Sequence, residues 1–226
     1  MQRLNVFNMI HKALRAMLYD TALTIQQTHF ADTEETETAL NKITAVLQMF
    51  EQHAHHEDHL LFPKIEQFQP QLVCDFEDEH VTDNALGNQL ATLVNIVRHT
   101  SDTIEREIAA SALSRAFLDF MIFNLQHMAK EESVILPVLW RHYTDDELMA
   151  INQDIVATIP PEEKAISALW MVRGVNNAEC IGWLGSLKNS LPAEAFSPVF
   201  NLTNTELPEK RRNAVQAAIM ARHELV

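Results

Sequence analysis

His53-Ala54-His55-His56-Glu57-Asp58-His59-Leu60-Leu61-Phe62-Pro63 is matched further along the chain by His127-Met128-Ala129-Lys130-Glu131-Glu132-Ser133-Val134-Ile135-Leu136-Pro137. Both stretches read His-x3-Glu-acid-x3-apolar-Pro. Residues four apart on a helix lie on one face, so each copy sets an imidazole beside a carboxylate. Two such pairs on facing helices would bring two His and two carboxylates to one point. Imidazole suits iron in either common oxidation state, and carboxylates can bridge two cations while offsetting their charge. The repeat therefore predicts a dinuclear metal site in a helical bundle.

The sequence around the repeat supplies the helices. Residues 4 to about 29 carry an apolar stripe of Leu4, Phe7, Leu14, Leu18 and Ile25, with His11 on the same face. Asp32 or Thr33 reads as the cap of the next helix, which carries Val46, Met49, Phe50, His53 and Glu57 and ends near Pro63 or slightly beyond. A third helix is expected from around Asp75 to about Thr100, with Phe76 and His80 inward. A fourth, capped by Ser101-Asp102, runs to about Arg141 with Phe120, Phe123, His127 and Glu131 on one stripe. Short loops imply antiparallel neighbours. The expected fold is all-α: an up-down-up-down four-helix bundle over 1–143, followed by a helical C-terminal segment over 144–226.

Distances along the chain support a common level for the site. His11 lies 20 residues before a turn near residue 31, and His53 lies 22 after it. Glu57 is 12 before a turn near residue 69, and His80 is 11 after. His80 is 23 before a turn near residue 103, and His127 is 24 after. At about 1.5 Å rise per residue these positions reach one height.

Composition narrows the class. The chain has 226 residues, 47% hydrophobic, with only 4 Gly, which suits a helical globular protein. Its formal charge of −14 argues against nucleic acid or an anionic membrane surface as partner. The two cysteines, Cys74 and Cys180, are too few for a disulfide framework and fit a cytoplasmic location. Neither a secretory signal nor a spanning helix is expected. Within 144–226, a capping box at Thr144, a helix from Pro160-Pro161 to Gly174, another opening at Asn176, and short ones at Ser197-Pro198 and Leu207-Pro208 complete the helical reading. That segment would pack on the bundle or form a homodimer contact.

His11-x2-Leu14-Arg15, His53-x3-Glu57 with Leu61-Phe62-Pro63, Glu79-His80, His127-x3-Glu131 and Leu136-Pro137 together resemble the hemerythrin-like family, the His-His-Glu cation-binding domain. The resemblance covers roughly residues 4–140. It implies two iron ions bridged by Glu57 and Glu131, with room for an oxo bridge, and His11, His53, His80 and His127 as terminal ligands. Oxygen, nitric oxide or peroxide would take the open positions. The chain departs from the oxygen-carrying members, which supply His-x3-His on the third helix. Here Asn84 stands four residues after His80, and the fourth helix has His-x3-Glu in place of His-x4-Asp. Sensing, storage or redox chemistry is then favoured over reversible oxygen carriage.

Other readings remain in view. An enzyme of nitrosative or oxidative stress defence, repairing iron centres or reducing nitric oxide or peroxide, could use the same site. The repair proteins usually add a Cys-bearing N-terminal domain, which is not expected with ten residues before His11. An interaction module with a structural metal is a third reading. A ferritin-like oxidase would need Glu-x-x-His on two helices, and only Glu77-x-x-His80 fits. Away from the six proposed ligands, His55 and His59 read as a solvated face, His29 as too far along its helix, and Asp58 and Glu132 as surface acids or acceptors for ligand imidazoles.

Overall fold

The computed structural model describes residues 3–221, which form helices with no strand among them. In order these are α1 (Asn8–Gln27), α2 (Thr33–His56), a π-helical turn π1 (Glu57–Leu61), α3 (Phe62–Glu66), α4 (Pro70–His99) and α5 (Thr103–Lys130). A second π-helical turn, π2 (Glu131–Ile135), leads into α6 (Leu136–His142). Then follow α7 (Asp145–Thr158), α8 (Pro161–Gly174), α9 (Asn177–Ser190), α10 (Ala193–Glu206) and α11 (Glu209–Ala221).

The starts of these helices follow from capping chemistry. Asp32 accepts from the amides of Glu34 and Glu35 at 2.8 and 2.9 Å, and Asp102 accepts from Glu105 at 2.9 Å, each satisfying donors that have no intrahelical partner. Two expected boundaries move. α4 begins at Pro70 rather than near Asp75, because a proline in the first turn has no amide to leave unsatisfied. α10 begins at Ala193, so Pro198 lies inside it instead of opening a helix.

The chain divides into two compact units. Among the described residues, the first joins residues 3–6 with Met17–Thr158. In it α2 packs on α4, and α4 packs along α5. Its core is apolar, with Leu40, Ile43, Val46, Phe62, Phe76, Leu90, Leu113, Phe117 and Phe120 buried. Lys42 on α2 reaches α1 at Asp20 (2.6 Å) and Thr24 (2.8 Å). Arg3 and Leu4 are tied to the corner after α6, where Arg3 donates to the Tyr143 carbonyl at 2.6 Å and the Trp140 indole donates to the Leu4 carbonyl at 2.7 Å. One feature was not foreseen: the run Thr103–His142 is long and apolar enough, on length and composition, to cross a membrane. One side of it packs on α4 and carries buried His127 and Glu131, while Ile104, Ile108, Leu118 and Ile122 are exposed.

Among the described residues, the second unit joins Phe7–Ala16 with residues 159–221. Its core gathers Val172, Val175, Cys180, Leu184, Leu207, Val215 and Ile219. The capping box opening α9 forms as expected: Asn176 accepts from the Glu179 amide at 3.0 Å while Glu179 accepts from the Asn176 amide. The same Glu179 takes Asn8 at 3.0 Å and the Lys12 ammonium, fastening the first half of α1 to α9. A Cβ on Gly174 would overlap the Lys12 carbonyl, so only glycine allows the end of α8 to lie this close to α1.

Candidate metal centre

Each copy of the repeat folds into the same local structure. An α-helix carries the histidine, and the glutamate is the first residue of a π-helical turn. In that turn the Phe62 amide donates to the Glu57 carbonyl, and the Leu136 amide donates to the Glu131 carbonyl, five residues back in both cases. The cause is the proline that follows. Pro63 and Pro137 lack an amide hydrogen, and in an unbroken α-helix their rings would press on the carbonyls of His59 and Ser133. Widening one turn relieves that clash. Such π turns interrupt α-helices mostly at functional positions.

Glu57 and Glu131 are almost fully buried, at 3% and 0% exposure. Ligand-capable atoms of Glu57, His80, His127 and Glu131 all lie within 4.8 Å of one another. Nε2 of His127 is 3.3 Å from Glu131, and Nε2 of His80 is 3.5 Å from Glu57. His53, the histidine of the first copy, has its Nε2 3.2 Å from Glu57 with 11% of its side chain exposed.

The two central imidazoles are oriented from behind. His80 Nδ1 lies 2.7 Å from Asp58, and His127 Nδ1 lies 2.8 Å from Glu79, which also holds the Lys130 ammonium. An ionised carboxylate only accepts, so both Nδ1 atoms carry the hydrogen. When the rings are neutral, both Nε2 atoms then present lone pairs inward, which is the usual arrangement behind metal-ligating histidines. These two Nε2 atoms are 3.1 Å apart. Aromatic rings wall the pair: Phe62 stacks on His80 at 5.5 Å and 9°, and Phe123 stacks on His127 at 6.0 Å and 10°.

The electrostatics test whether this donor set suits a cation. Burial, reinforced by the neighbouring Glu131 carboxylate and opposed by His80, pushes Glu57 up to about 8. Burial alone would lower His80, but Asp58 and Glu57 outweigh it and raise it to about 10. His127 is likewise depressed by burial yet raised to about 9 by Glu131 and Glu79. Partial burial would raise Glu79, but Lys130 and His127 hold it below the usual carboxylate range. Two buried carboxylates and two facing imidazole lone pairs are mutually repulsive unless positive charge lies among them. Protons supply it at neutral pH, and a divalent cation would supply it better. Nitrogen and oxygen donors on one transition-metal centre fit this set.

Four further histidines lie in different surroundings. His11 is buried, on the part of α1 that belongs to the second unit, with its ring stacked on Phe7 at 4.9 Å and 24°. His55 and His59 are exposed and pack their rings together at 4.1 Å, as a solvated face would allow. His29 is exposed and lies 4.0 Å from Glu107 on α5. Sequence reasoning left Asp58 undecided and it proves to be the acceptor for His80. The carboxyl–amide contact between Asp83 and Asn124 was missed, since neither residue belongs to the repeat.

Comparison with known proteins agrees with this chemistry. The model of the hemerythrin HHE cation binding domain family matches residues 2–139. F-box/LRR-repeat protein 5 of Salmo salar is 23% identical over 152 residues, which is 67% of this chain and 21% of that protein. Zinc finger protein BRUTUS of Arabidopsis thaliana is 24% identical over 148 residues, 65% of this chain and 11% of that protein. The chain thus spans about a fifth and about a ninth of the length of these relatives. No solved structure matches it. With more than half its length matched and a buried His/Glu cluster in place, the chain belongs to the hemerythrin HHE cation-binding domain family.

Proposed function

We propose that this protein is a non-haem diiron protein that senses or stores oxygen, nitric oxide, peroxide or iron. The observation that carries the reading is the pair of π turns delivering Glu57 and Glu131 to His80 and His127, all four within 4.8 Å. In this reading Glu57, Glu131, His80, His127, His53 and His11 would hold the irons, the carboxylates supplying negative charge and the imidazoles neutral nitrogen donors. The up-down-up-down order of α1, α2, α4 and α5 is part of the same proposal, and the matched levels of His11, His53, His80 and His127 along the sequence support it. Bound iron would supply open positions for a small diatomic ligand or peroxide. The chain's own residues hold the ligands in place. Asp58 and Glu79 fix the ring tautomers, while Phe62, Phe76 and Phe123 line the imidazoles with apolar surface.

The relatives favour a sensing or binding role over a self-contained catalyst. In both, the matched stretch is a minor part of a longer protein named for an F-box or a zinc finger. A nitric oxide or peroxide reductase at the same centre is the alternative. The test is metal content and optical spectrum of protein purified without oxygen and then exposed to air. About two irons per chain with new near-ultraviolet bands on oxidation is the expected result. Zinc, a single metal or an air-insensitive spectrum overturns it, and sustained turnover of nitric oxide or peroxide moves the assignment to the enzyme.

A further inference from the structure

Two buried polar side chains lie one turn from the central imidazoles without belonging to the donor set. Asp83 stands three residues after His80 on α4, and Asn124 stands three before His127 on α5. They are 6% and 2% exposed. Asn124 Nδ2 donates to Asp83 at 2.6 Å and to the Phe120 carbonyl at 3.1 Å, which uses both amide hydrogens and fixes the amide's orientation. His80 meets His127 and Asp83 meets Asn124, so α4 and α5 run in opposite directions here and the polar link sits about 4.5 Å along from the imidazoles.

A carboxyl and an amide in this place are costly compared with two apolar side chains of the same size. What a directional bond adds is register. Two packed helices with apolar contacts alone can slide or roll, and each residue of slip turns a side chain by about 100°. A single buried polar pair forbids that, a role for which such pairs are well attested.

We propose that Asp83 and Asn124 are a positioning pair for the metal centre. Their bond fixes the register of α4 against α5 so that His80 Nε2 and His127 Nε2 face each other at 3.1 Å. Asp58 and Glu79 turn the rings, and the Asp83–Asn124 link places the helices that carry them. The proposal rests on the metal-binding reading above.

The test uses the full chain freed of metal and titrated with cobalt(II), read by its visible absorption bands and by competition with a chelator. The Asp83→Leu/Asn124→Leu double variant replaces both partners by apolar groups of similar shape. It should melt, metal-free, close to wild type, yet bind cobalt about tenfold or more weakly with altered bands, the size of effect seen when outer partners of metal ligands are lost. Asp83→Asn keeps an acceptor for Asn124 and should retain most of the affinity and the wild-type bands. Should the double variant not fold, Asn124→Leu, which removes the donor, is compared with Asp83→Asn and is expected to bind about tenfold more weakly with altered bands. Wild-type affinity and bands in a folded variant that lacks the link overturn the proposal. So does an Asp83→Asn loss as large as that variant's. Absence of cobalt binding by wild type itself overturns the metal reading and this inference with it.

Discussion

The two copies of the repeat share a backbone but not a set of jobs. In both, histidine, glutamate and proline produce the same π turn with the glutamate at its start. The acids that back the two central imidazoles come from different elements. Asp58 crosses to α4 and accepts from His80 at 2.7 Å, whereas the acid behind His127 is Glu79, supplied by α4 itself. The copies differ in burial as well, since the His53 side chain is 11% exposed and that of His127 only 4%. Local sequence therefore sets where the backbone widens, and the neighbouring helix decides which acid backs which imidazole.

Removing the shared element should have the largest effect. Glu57→Ala and Glu131→Ala should each abolish tight metal binding. With metal at a thousandfold excess over its Kd the bound state gains about 4 kcal/mol, so the variants should forgo roughly 10 °C of metal-induced melting shift for a chain of this size. Metal-free at neutral pH, each should melt below wild type, because a buried protonated imidazole, His80 or His127, loses a carboxyl partner. Calorimetry with and without metal checks both halves.

The next effect is of pH. Without metal, the folded state holds protons that the unfolded chain releases earlier: Glu57 sits at about 8 against 4.5, His127 at about 9 and His80 at about 10 against 6.5. The histidine contribution is full below 6.5 and lost as pH rises through 9 to 10, and the Glu57 contribution is lost between 4.5 and 8. Metal-free melting temperature should therefore fall steadily as pH rises across this range. Metal binding requires deprotonated ligands, so the metal-induced shift should grow with pH over the same interval. Parallel slopes in the two forms would contradict a site in which protons and cation compete.

Differences between the copies should appear at the following acids. Asp58→Asn and Glu79→Gln should each weaken metal binding by about 10–100-fold, as loss of a ligand's backing acceptor does. Unchanged affinity in both variants, read by cobalt(II) titration against a chelator, would mean that these two contacts do not hold the rings. The smallest effect is expected at the prolines. Pro63→Ala and Pro137→Ala remove the reason for the widened turn, and both should weaken binding modestly and to the same extent. A large asymmetry between them would show that tertiary contacts, not the proline, hold the π turns.

Much of this was legible in the chain. The spacing of His53 and Glu57, and of His127 and Glu131, encodes a shared helical face, because four residues are close to one turn. Caps at Asp32, Asp102, Thr144 and Asn176 were readable because they depend on side chains within three residues of the helix start. The starts of α4 and α10 were less so, since a proline tolerated in the first turn and one inside a helix look alike in sequence. The π turns escaped because proline signals a break without saying whether the helix ends or widens.

What the sequence determined by itself is the helical class, the caps and the His-x3-Glu spacing that sets an imidazole beside a carboxylate, all set by interactions within a turn or two of each residue. The meeting of His80 with His127, the pairing of Asp58 and Glu79 with those rings and the buried Asp83–Asn124 bond were decided only by the tertiary structure. These contacts join residues 22 to 48 positions apart. Their geometry depends on the rotation and register of one packed helix against another, which no periodicity within a single helix specifies.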